Sequence, residues 1–423
     1  ARHQVLMLGW DMDSRVHLLR GDDTPAHRES LRRFLSRRVR EEDGLTVNIL
    51  LWNFTWLYAL DREPLPMVNL HWRTPPEVRV VMDDRFPVGG SHHQKVVVVD
   101  DRVAFVGGLD ITENRWDTPR HAQDDPLRVD SSGQPYNAFH DVQALVDGQA
   151  ARALGDLARD RWYTATGEIL STPPRDGYDA DDDPWPRQVP VVARGRSVGV
   201  ARTLPPLSDR EAVQEVKQLY LETIAAARDF IYIENQYLSA PEIADALAER
   251  LAEPGGPDVV IVTSPDYTGW LETQTMGLAR DRFLARLHGV DRGDRFRVFV
   301  PTLDHDPPTQ LKVHSKVMIV DDRVLRIGSS NLANRSMGYD SEADIAIEDA
   351  DHLPEARDLR ETLLAEHLGV SRAVVADAFE REGSLTRAVD SLRRDRGRGL
   401  IALDTPAEPP EPVAEVALDI ADP

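Results

Sequence analysis

His93, Lys95 and Asp100 return 221 residues later as His314, Lys316 and Asp321, so that H-x-K-x4-D is written twice in one chain. The register holds without a gap from each histidine through Val106/Ile327 and Gly107/Gly328 to Asp110/Asn331. Lysine occurs only at positions 95, 217, 312 and 316 and there are 13 histidines among 423 residues. Chance then supplies roughly 0.01 such matches per chain. Histidine offers a nucleophile or a proton carrier near neutral pH and lysine a positive charge, so each motif is a candidate for covalent or acid–base chemistry.

Residues two apart on a strand face the same way, so His93 and Lys95 project from one surface, as do His314 and Lys316. Four apolar residues after each lysine bury the strand, and Asp-Asp-Arg makes a polar turn into a second apolar strand. Asp100 and Asp321 join the candidate catalytic set as motif members, although a turn aspartate is expected to brace its turn rather than touch substrate. Gly107 and Gly328 let a backbone approach closely. Ser329 and Asn331 add a hydroxyl and an amide, completing H-x-K-x4-D-x6-G-S-x-N. The first copy reads Gly107-Gly108-Leu109-Asp110 here and lacks the amide donor. A site between the two halves would be pseudo-symmetric in its histidines and lysines but not in its rim.

The elements around the motifs repeat as well. Strand-like apolar runs fall at Val5–Leu8, Val47–Leu51, Val78–Met82, Lys95–Val99 and Val103–Val106, with helical periodicity from Arg28 to Arg40. The second half offers strands at Phe230–Ile233, Val259–Val262, Phe296–Val300, Lys316–Val320 and Val324–Ile327. Its helical patterns cover Asp209–Ala227, Ile243–Leu251 and Met276–Leu287. This predicts an α/β protein of two homologous sandwich lobes with mixed sheets, related by a pseudo-twofold axis. The first lobe is expected over 1–190, the second over 191–400, and a poorly packed Pro/Glu-rich tail over 401–423. Ser171–Pro190, with Asp179, Asp181, Asp182 and Asp183 among five prolines, is expected to be the linker between the lobes or a surface loop.

Composition narrows the partners. A net charge of −22 argues against nucleic acid, whose binding rests on a basic surface. No run of about 18 apolar residues could span a membrane. The chain has no cysteine, which excludes disulfides and thiolate chemistry. The natural N-terminus is expected upstream of Ala1, and the location is expected to be cytoplasmic or peripheral to a membrane.

Around the motifs, Ser91-His92-His93-Gln94-Lys95, Gly107-Gly108-Leu109-Asp110, Arg115-Trp116-Asp117-Thr118, His140-Asp141-Val142, Arg161-Trp162, Ile233-Glu234-Asn235-Gln236-Tyr237, Gly328-Ser329-Ser330-Asn331, Asn334-Arg335-Ser336 and Asp340-Ser341-Glu342 resemble the catalytic core of the phospholipase D superfamily. The resemblance covers nearly the whole chain and is to phosphatidylcholine-type members. Leu8-Gly9-Trp10-Asp11-Met12-Asp13-Ser14-Arg15 resembles bacterial proteins of the superfamily. It implies attack of one histidine on phosphorus to form a phosphohistidine, while the other protonates the leaving alcohol and then activates water or a second alcohol. By analogy His93 is the nucleophile and His314 the general acid/base. Lys95, Lys316 and Asn331 would hold the non-bridging oxygens without a metal. Asp141 and Glu342 would orient the histidines. Ser329, Gly107, Asp110, Asn235 and Gln236 complete the expected substrate surface, although Glu234-Asn235-Gln236 after an apolar strand could equally brace the site.

The implied function is a phospholipase D, a monomer meeting phospholipid at a membrane surface and transferring the phosphatidyl group to water or alcohols. Alternatives are a cardiolipin-synthase-like transferase, a nuclease of the same superfamily, and a non-catalytic phosphate-binding module. No cofactor is required and no metal site is assigned. His71, His121 and His305 lack an H-E-x-x-H partner. The aspartates of the 180s lack the glycine and terminal glutamate of a calcium loop, so calcium is left open only as an aid at the lipid surface. Trp52, Trp56, Trp72 and Trp116 are read as core packing ahead of headgroup contacts.

Overall fold

The computed structural model describes residues 1–21, 29–53, 73–174, 183–265, 270–394, 397–403 and Asp422. The first lobe runs β1 (Gln4–Gly9), α1 (Leu31–Glu41), β2 (Thr46–Trp52), β3 (Val78–Asp83), β4 (Val96–Val99), β5 (Val103–Gly107), β6 (Phe139–His140), β7 (Gln143–Asp147) and α2 (Gly148–Thr166). The second opens with β8 (Gly199–Leu204), β9 (Val213–Gln214), α3 (Glu215–Ala226), β10 (Phe230–Asn235), α4 (Pro241–Ala252), β11 (Asp258–Thr263), α5 (Trp270–His288) and β12 (Phe296–Leu303). It continues through β13 (Thr309–Gln310), β14 (Lys312–Val313), β15 (Val317–Val320), β16 (Val324–Gly328), α6 (Asn334–Gly338), β17 (Glu342–Glu348), α7 (Pro354–Leu368), α8 (Arg372–Glu382), α9 (Leu385–Leu392) and β18 (Gly399–Ala402).

The first sheet has the order β3-β2-β1-β4-β5-β7, with β1 to β3 parallel and the remaining pairs antiparallel. The second sheet repeats it strand for strand as β12-β11-β10-β15-β16-β17, with the same parallel and antiparallel pairs. Both are mixed, as the hairpins around Asp100 and Asp321 require. Parallel strands are covered on both faces and therefore read as unbroken apolar runs. Leu6 and Leu8 of β1 face one core beside Leu154 and Trp162 of α2. Met7 faces the other, beside Leu31 and Leu35 of α1. The first of these cores continues into the second lobe through Tyr232, Ile319 and Leu364, so one apolar layer joins both sheets.

The two Asp-Asp turns show what the last residue of each motif does. Asp100 and Asp101 both have φ near +53°, and Asp321 and Asp322 have φ of 54° and 48°. Two consecutive left-handed residues give the tight turn whose twist matches a hairpin, and aspartate tolerates it through local hydrogen bonds. Asp100 accepts the backbone N–H of Arg2, His3 and Gln4 at 2.6, 2.8 and 2.7 Å. Asp321 does the same for Arg228, Asp229 and Phe230 at 2.7, 2.8 and 2.8 Å. Each thus ties its hairpin to the start of the neighbouring strand, seven residues and about 23 Å of extended chain from its histidine. This corrects their place in the candidate catalytic set: Asp100 and Asp321 are braces.

The C-terminal boundary also differs from expectation. Ile401 and Ala402 belong to β18, which pairs with β12. Asp422 is buried, accepting from Ser239 Oγ and from the backbone N–H of Asn334 and Arg335, so this residue is packed rather than loose. Residues 404–421, the linker aspartates 179, 181 and 182, Trp56, Trp72 and His71 lie outside the described residues. Among the described residues no helix is long and apolar enough to cross a membrane.

Candidate active site

Each motif histidine arrives in an extended segment that pairs with the opposite lobe. In the first copy His93 N–H donates to Ser341 O at 3.0 Å, and Ser341 N–H to Ser91 O at 3.0 Å. In the second, β14 pairs in parallel with β6, and His314 N–H donates to His140 O at 2.8 Å. The histidine and lysine therefore lie just before the strands, which begin at Val96 and Val317. The chain that receives each histidine delivers a carboxylate one residue later. His93 Nδ1 lies 3.0 Å from both Glu342 oxygens. His314 Nδ1 lies 2.8 Å from Asp141 Oδ2. Each histidine is thus held by a carboxylate from the other lobe, and both keep their Nε2 free of these contacts.

Lys95 Nζ sits 3.1 Å from His93 O and 3.3 Å from Asp110 Oδ2. Lys316 Nζ donates to His314 O and lies 3.3 Å from His314 Nδ1. Lys316 feels the charges of Asp141, Lys95, Glu342 and Asp110, and His314 feels both Lys316 and Lys95. The two motifs therefore form one electrostatic unit. Within it the lysines are fully covered, whereas His93 and His314 retain 16% and 11% of their side-chain surface. The histidines are the groups a ligand can reach.

The two pairs differ in what stands behind the carboxylate. A Cβ at Gly108 would lie 2.3 Å from Asp141 Oδ1, so only glycine admits that carboxylate. The equivalent position holds Ser329, whose hydroxyl donates to Glu342 Oε2, while Ser336 Oγ donates to Oε1 at 2.6 Å. Burial works against the Glu342 charge, but the His93 charge and hydrogen bond, Lys95 and Ser329 hold its carboxyl below the usual range. Among the described residues Asp141 has His314 and the Val142 N–H as its hydrogen-bond partners, and burial pushes it up to about 6. Burial, then Lys316, Arg115 and Lys95, pushes His314 well down, so its resting imidazole is neutral. Burial also brings Lys316 down to about 7.

The expected substrate surface is only partly formed by the residues assigned to it. Ser329 is fully buried and occupied by Glu342 and the Ala343 N–H, so it stands behind the site. Gly107 lies within β5, where a Cβ would meet Val142 O at 2.7 Å; its role is close strand packing. Asp110 holds Lys95 and accepts the N–H of Trp10 at 2.9 Å. Asn235 is fully buried, its Oδ1 accepting from Leu332 N at 3.0 Å and Tyr237 N at 3.2 Å, so it braces a loop. Gln236 is half-buried, its carbonyl accepting from Thr263. Of the residues assigned to that surface, Asn331 keeps a buried side-chain oxygen without a partner among the described residues.

Arg115, Glu234 and His140 matter more than their sequence positions suggested. Arg115 acts on His314 and Asp141, lies over the Phe139 ring at 4.9 Å, and has a buried Nε with no partner among the described residues. Glu234 accepts from His140 Nε2, His367 Nε2 and Tyr232 Oη at 2.8, 2.8 and 2.7 Å, and from Ser315 Oγ. His140 precedes Asp141 and Ser315 follows His314, so one buried carboxylate clamps both chains of the second pair. Trp52 packs against Trp10 and Phe86 at ring distances of 5.5 and 6.0 Å, and Trp116 stacks beneath Arg20.

Comparison with known proteins matches residues 79–241 to the family model described as phospholipase D and residues 220–363 to that described as cardiolipin synthase, PLD-like domain. Phospholipase D1 of Schizosaccharomyces pombe is 25% identical over 96% of this chain and 36% of its own length. Phospholipase D alpha 1 of Arabidopsis thaliana is 23% identical over 82% of this chain and 58% of its own length. The chain thus spans about a third to three fifths of these relatives. The crystal structure of phosphatidylserine synthase from Haemophilus influenzae Rd KW20 superposes with a TM-score of 0.51 at 16% identity, covering 90% of this chain and 88% of that one. That likeness is one of fold.

Proposed function

The chain belongs to the phospholipase D superfamily, and from that premise we propose that it is a phospholipase D, releasing phosphatidic acid from phospholipids and passing the phosphatidyl group to alcohols. The observation that carries this reading is the crossed pairing of His93 with Glu342 and His314 with Asp141. A carboxylate on Nδ1 fixes the ring and tautomer and leaves Nε2 to react. In the first step His93 Nε2 bonds to phosphorus as the bond to the headgroup oxygen breaks, and His314 gives that oxygen its proton. In the second, water or an alcohol gives its proton to His314, bonds to phosphorus and releases His93. Lys95, Lys316, Arg115 and Asn331 hold the non-bridging oxygens, so no metal is assigned a step. Burial and then the neighbouring cations keep His314 neutral; the phosphodiester anion offsets the cations and so favours the proton that His314 donates.

A phosphatidyltransferase using the same intermediate is the second reading, favoured by the cardiolipin-synthase model matched over 220–363. A non-catalytic phosphate binder would need the lysines but not two oriented histidines. The deciding experiment incubates the protein with a panel of phospholipid vesicles, with and without ethanol, and identifies products by mass. Phosphatidic acid, joined by phosphatidylethanol when ethanol is added and absent with His93→Ala, is the expected result. Products confined to complex alcohol acceptors would establish the transferase, and binding without turnover the module.

A further inference from the structure

Beneath the Asp141–His314 pair lies a group of titratable side chains that the proposed reaction does not use. Asp117, Glu234 and Glu366 meet His121, His140, His367 and Arg128, and all except Glu366, which keeps 11% of its surface, have side chains almost fully covered. His121 Nδ1 lies 2.9 Å from Asp117 Oδ2, and Arg128 Nη1 3.1 Å from Asp117 Oδ1. His140 Nε2 lies 2.8 Å from Glu234 Oε2. The other nitrogens, His121 Nε2 and His140 Nδ1, both point at Glu366 Oε1, at 3.0 and 2.8 Å. His367 Nδ1 has no partner among the described residues, while its Nε2 lies 2.8 Å from Glu234 Oε1.

The charges do not close on their own. Three buried carboxylates face the Arg128 guanidinium and the charge of Arg398 beside Glu366 and Asp117, leaving positive charge still to be supplied, by an imidazole proton or by a divalent cation. We propose that His121, His140 and Glu366 form a binding site for a single divalent transition metal of the zinc type, which staples the two lobes beneath the active site. The three inward atoms lie within 4.8 Å of one another. Each histidine carries a carboxylate on its far nitrogen, the arrangement that fixes a metal-ligating tautomer and leaves the near lone pair inward. Two imidazoles and a carboxylate suit zinc, with metal–ligand distances of about 2.0–2.2 Å and hence ligands about 3.3 Å apart. The present contacts open to that spacing by a few tenths of an ångström. The alternative places two imidazole rings, with centroids 6.2 Å apart, on one oxygen atom.

The ligands explain the consequence. His121 and His140 come from the first lobe and Glu366 from α7 of the second, and His140 is the residue before Asp141. The ion would secure the lobe interface where the second pair is built, and its binding would release protons.

The test uses the full chain produced in medium supplemented with zinc or with cobalt, dialysed, and assayed for metal by mass spectrometry. About one ion per chain, a visible absorption band in the cobalt form, and a lower melting temperature after prolonged chelation are expected. Asp117→Asn should weaken metal affinity by roughly 10–100-fold. His121→Ala should lose the ion. Glu366→Gln, which keeps the side-chain volume, serves the same purpose if His121→Ala fails to fold. His93→Ala should retain the ion while losing turnover, which separates this inference from the proposed reaction. No ion in either preparation, or an ion retained by both His121→Ala and Glu366→Gln, overturns the site and leaves the charge to protons.

Discussion

At the scale of single residues, the two halves of the site are copies with different electrostatics. Position 108 is glycine and position 329 is serine, so Glu342 has a hydroxyl donor that Asp141 lacks. The histidines and lysines were legible because their repeat is linear in sequence. Their partners were legible as residues but not as pairs, because 249 and 173 positions separate His93 from Glu342 and His314 from Asp141. Arg115 stands in one of the family blocks but gains no role from the sequence, because one arginine among many carries no spacing signal. As a third cation beside His314, its replacement by alanine removes charge-assisted contacts to phosphate, each worth about 1.5–3 kcal/mol. A roughly 10–100-fold fall in kcat/KM on a soluble phosphodiester is expected, with the melting temperature little changed; wild-type kinetics would remove Arg115 from the site. Lys316 supplies the pH signature. Burial lowers it to about 7, so the free enzyme carries this ammonium below that pH and loses it above. kcat/KM should therefore fall as pH rises through about 7, whereas kcat should persist to higher pH because bound phosphodiester restores the proton. A kcat/KM that climbs steadily to pH 9 would show that Lys316 does not bind substrate as a cation.

At the scale of elements, the apolar runs announced the strands of both sheets, because parallel strands covered on two faces leave an unmistakable pattern. The expected helix from Asp209 begins only at Glu215, since Val213–Gln214 is taken into the sheet beside β8. The segments that aim His314, β6 and β14, are two residues each and too short to leave any periodicity. The aspartates after each motif show the division of labour. Asp101 pairs with Arg159 of α2, and Asp322 with Arg360 of α7 at 2.9 and 2.6 Å, so each turn is also pinned to a helix. Arg360 is fully buried. Removing Asp322 as alanine strands that guanidinium and should cost about 3–5 kcal/mol, read by denaturant unfolding. Turnover per folded molecule should hold near the wild-type value, because the turn lies at the far end of β15. A stable Asp322→Ala protein with lost activity would place this aspartate in the catalytic machinery instead.

At the scale of the whole molecule, the duplicated fold was readable and the exchange between its halves was not. One apolar layer runs through both lobes, and each lobe orients the other's histidine. Phenotypes should therefore follow the pairing rather than the sequence neighbourhood. Asp141 lies in the same lobe as His93 but serves His314, so Asp141→Asn should behave like His314→Ala. Both should still attack a nitrophenyl phosphodiester, whose leaving group needs no proton, and both should accumulate the phosphohistidine because water is poorly activated. Glu342→Gln, in the second lobe, should instead resemble His93→Ala in forming little or no adduct. Each carboxylate replacement should lower kcat on a natural phospholipid by on the order of 10²–10⁴-fold, the range expected when a histidine loses its orienting acid. Rapid quench followed by mass mapping of the adduct reads all four variants at once. Adduct on the peptide containing His93 in Asp141→Asn and His314→Ala, with none in the other two, is the expected pattern. Adduct on His314 would exchange the roles of the histidines, and effects grouped by lobe instead of by pair would mean that the crossed contacts do not govern the chemistry.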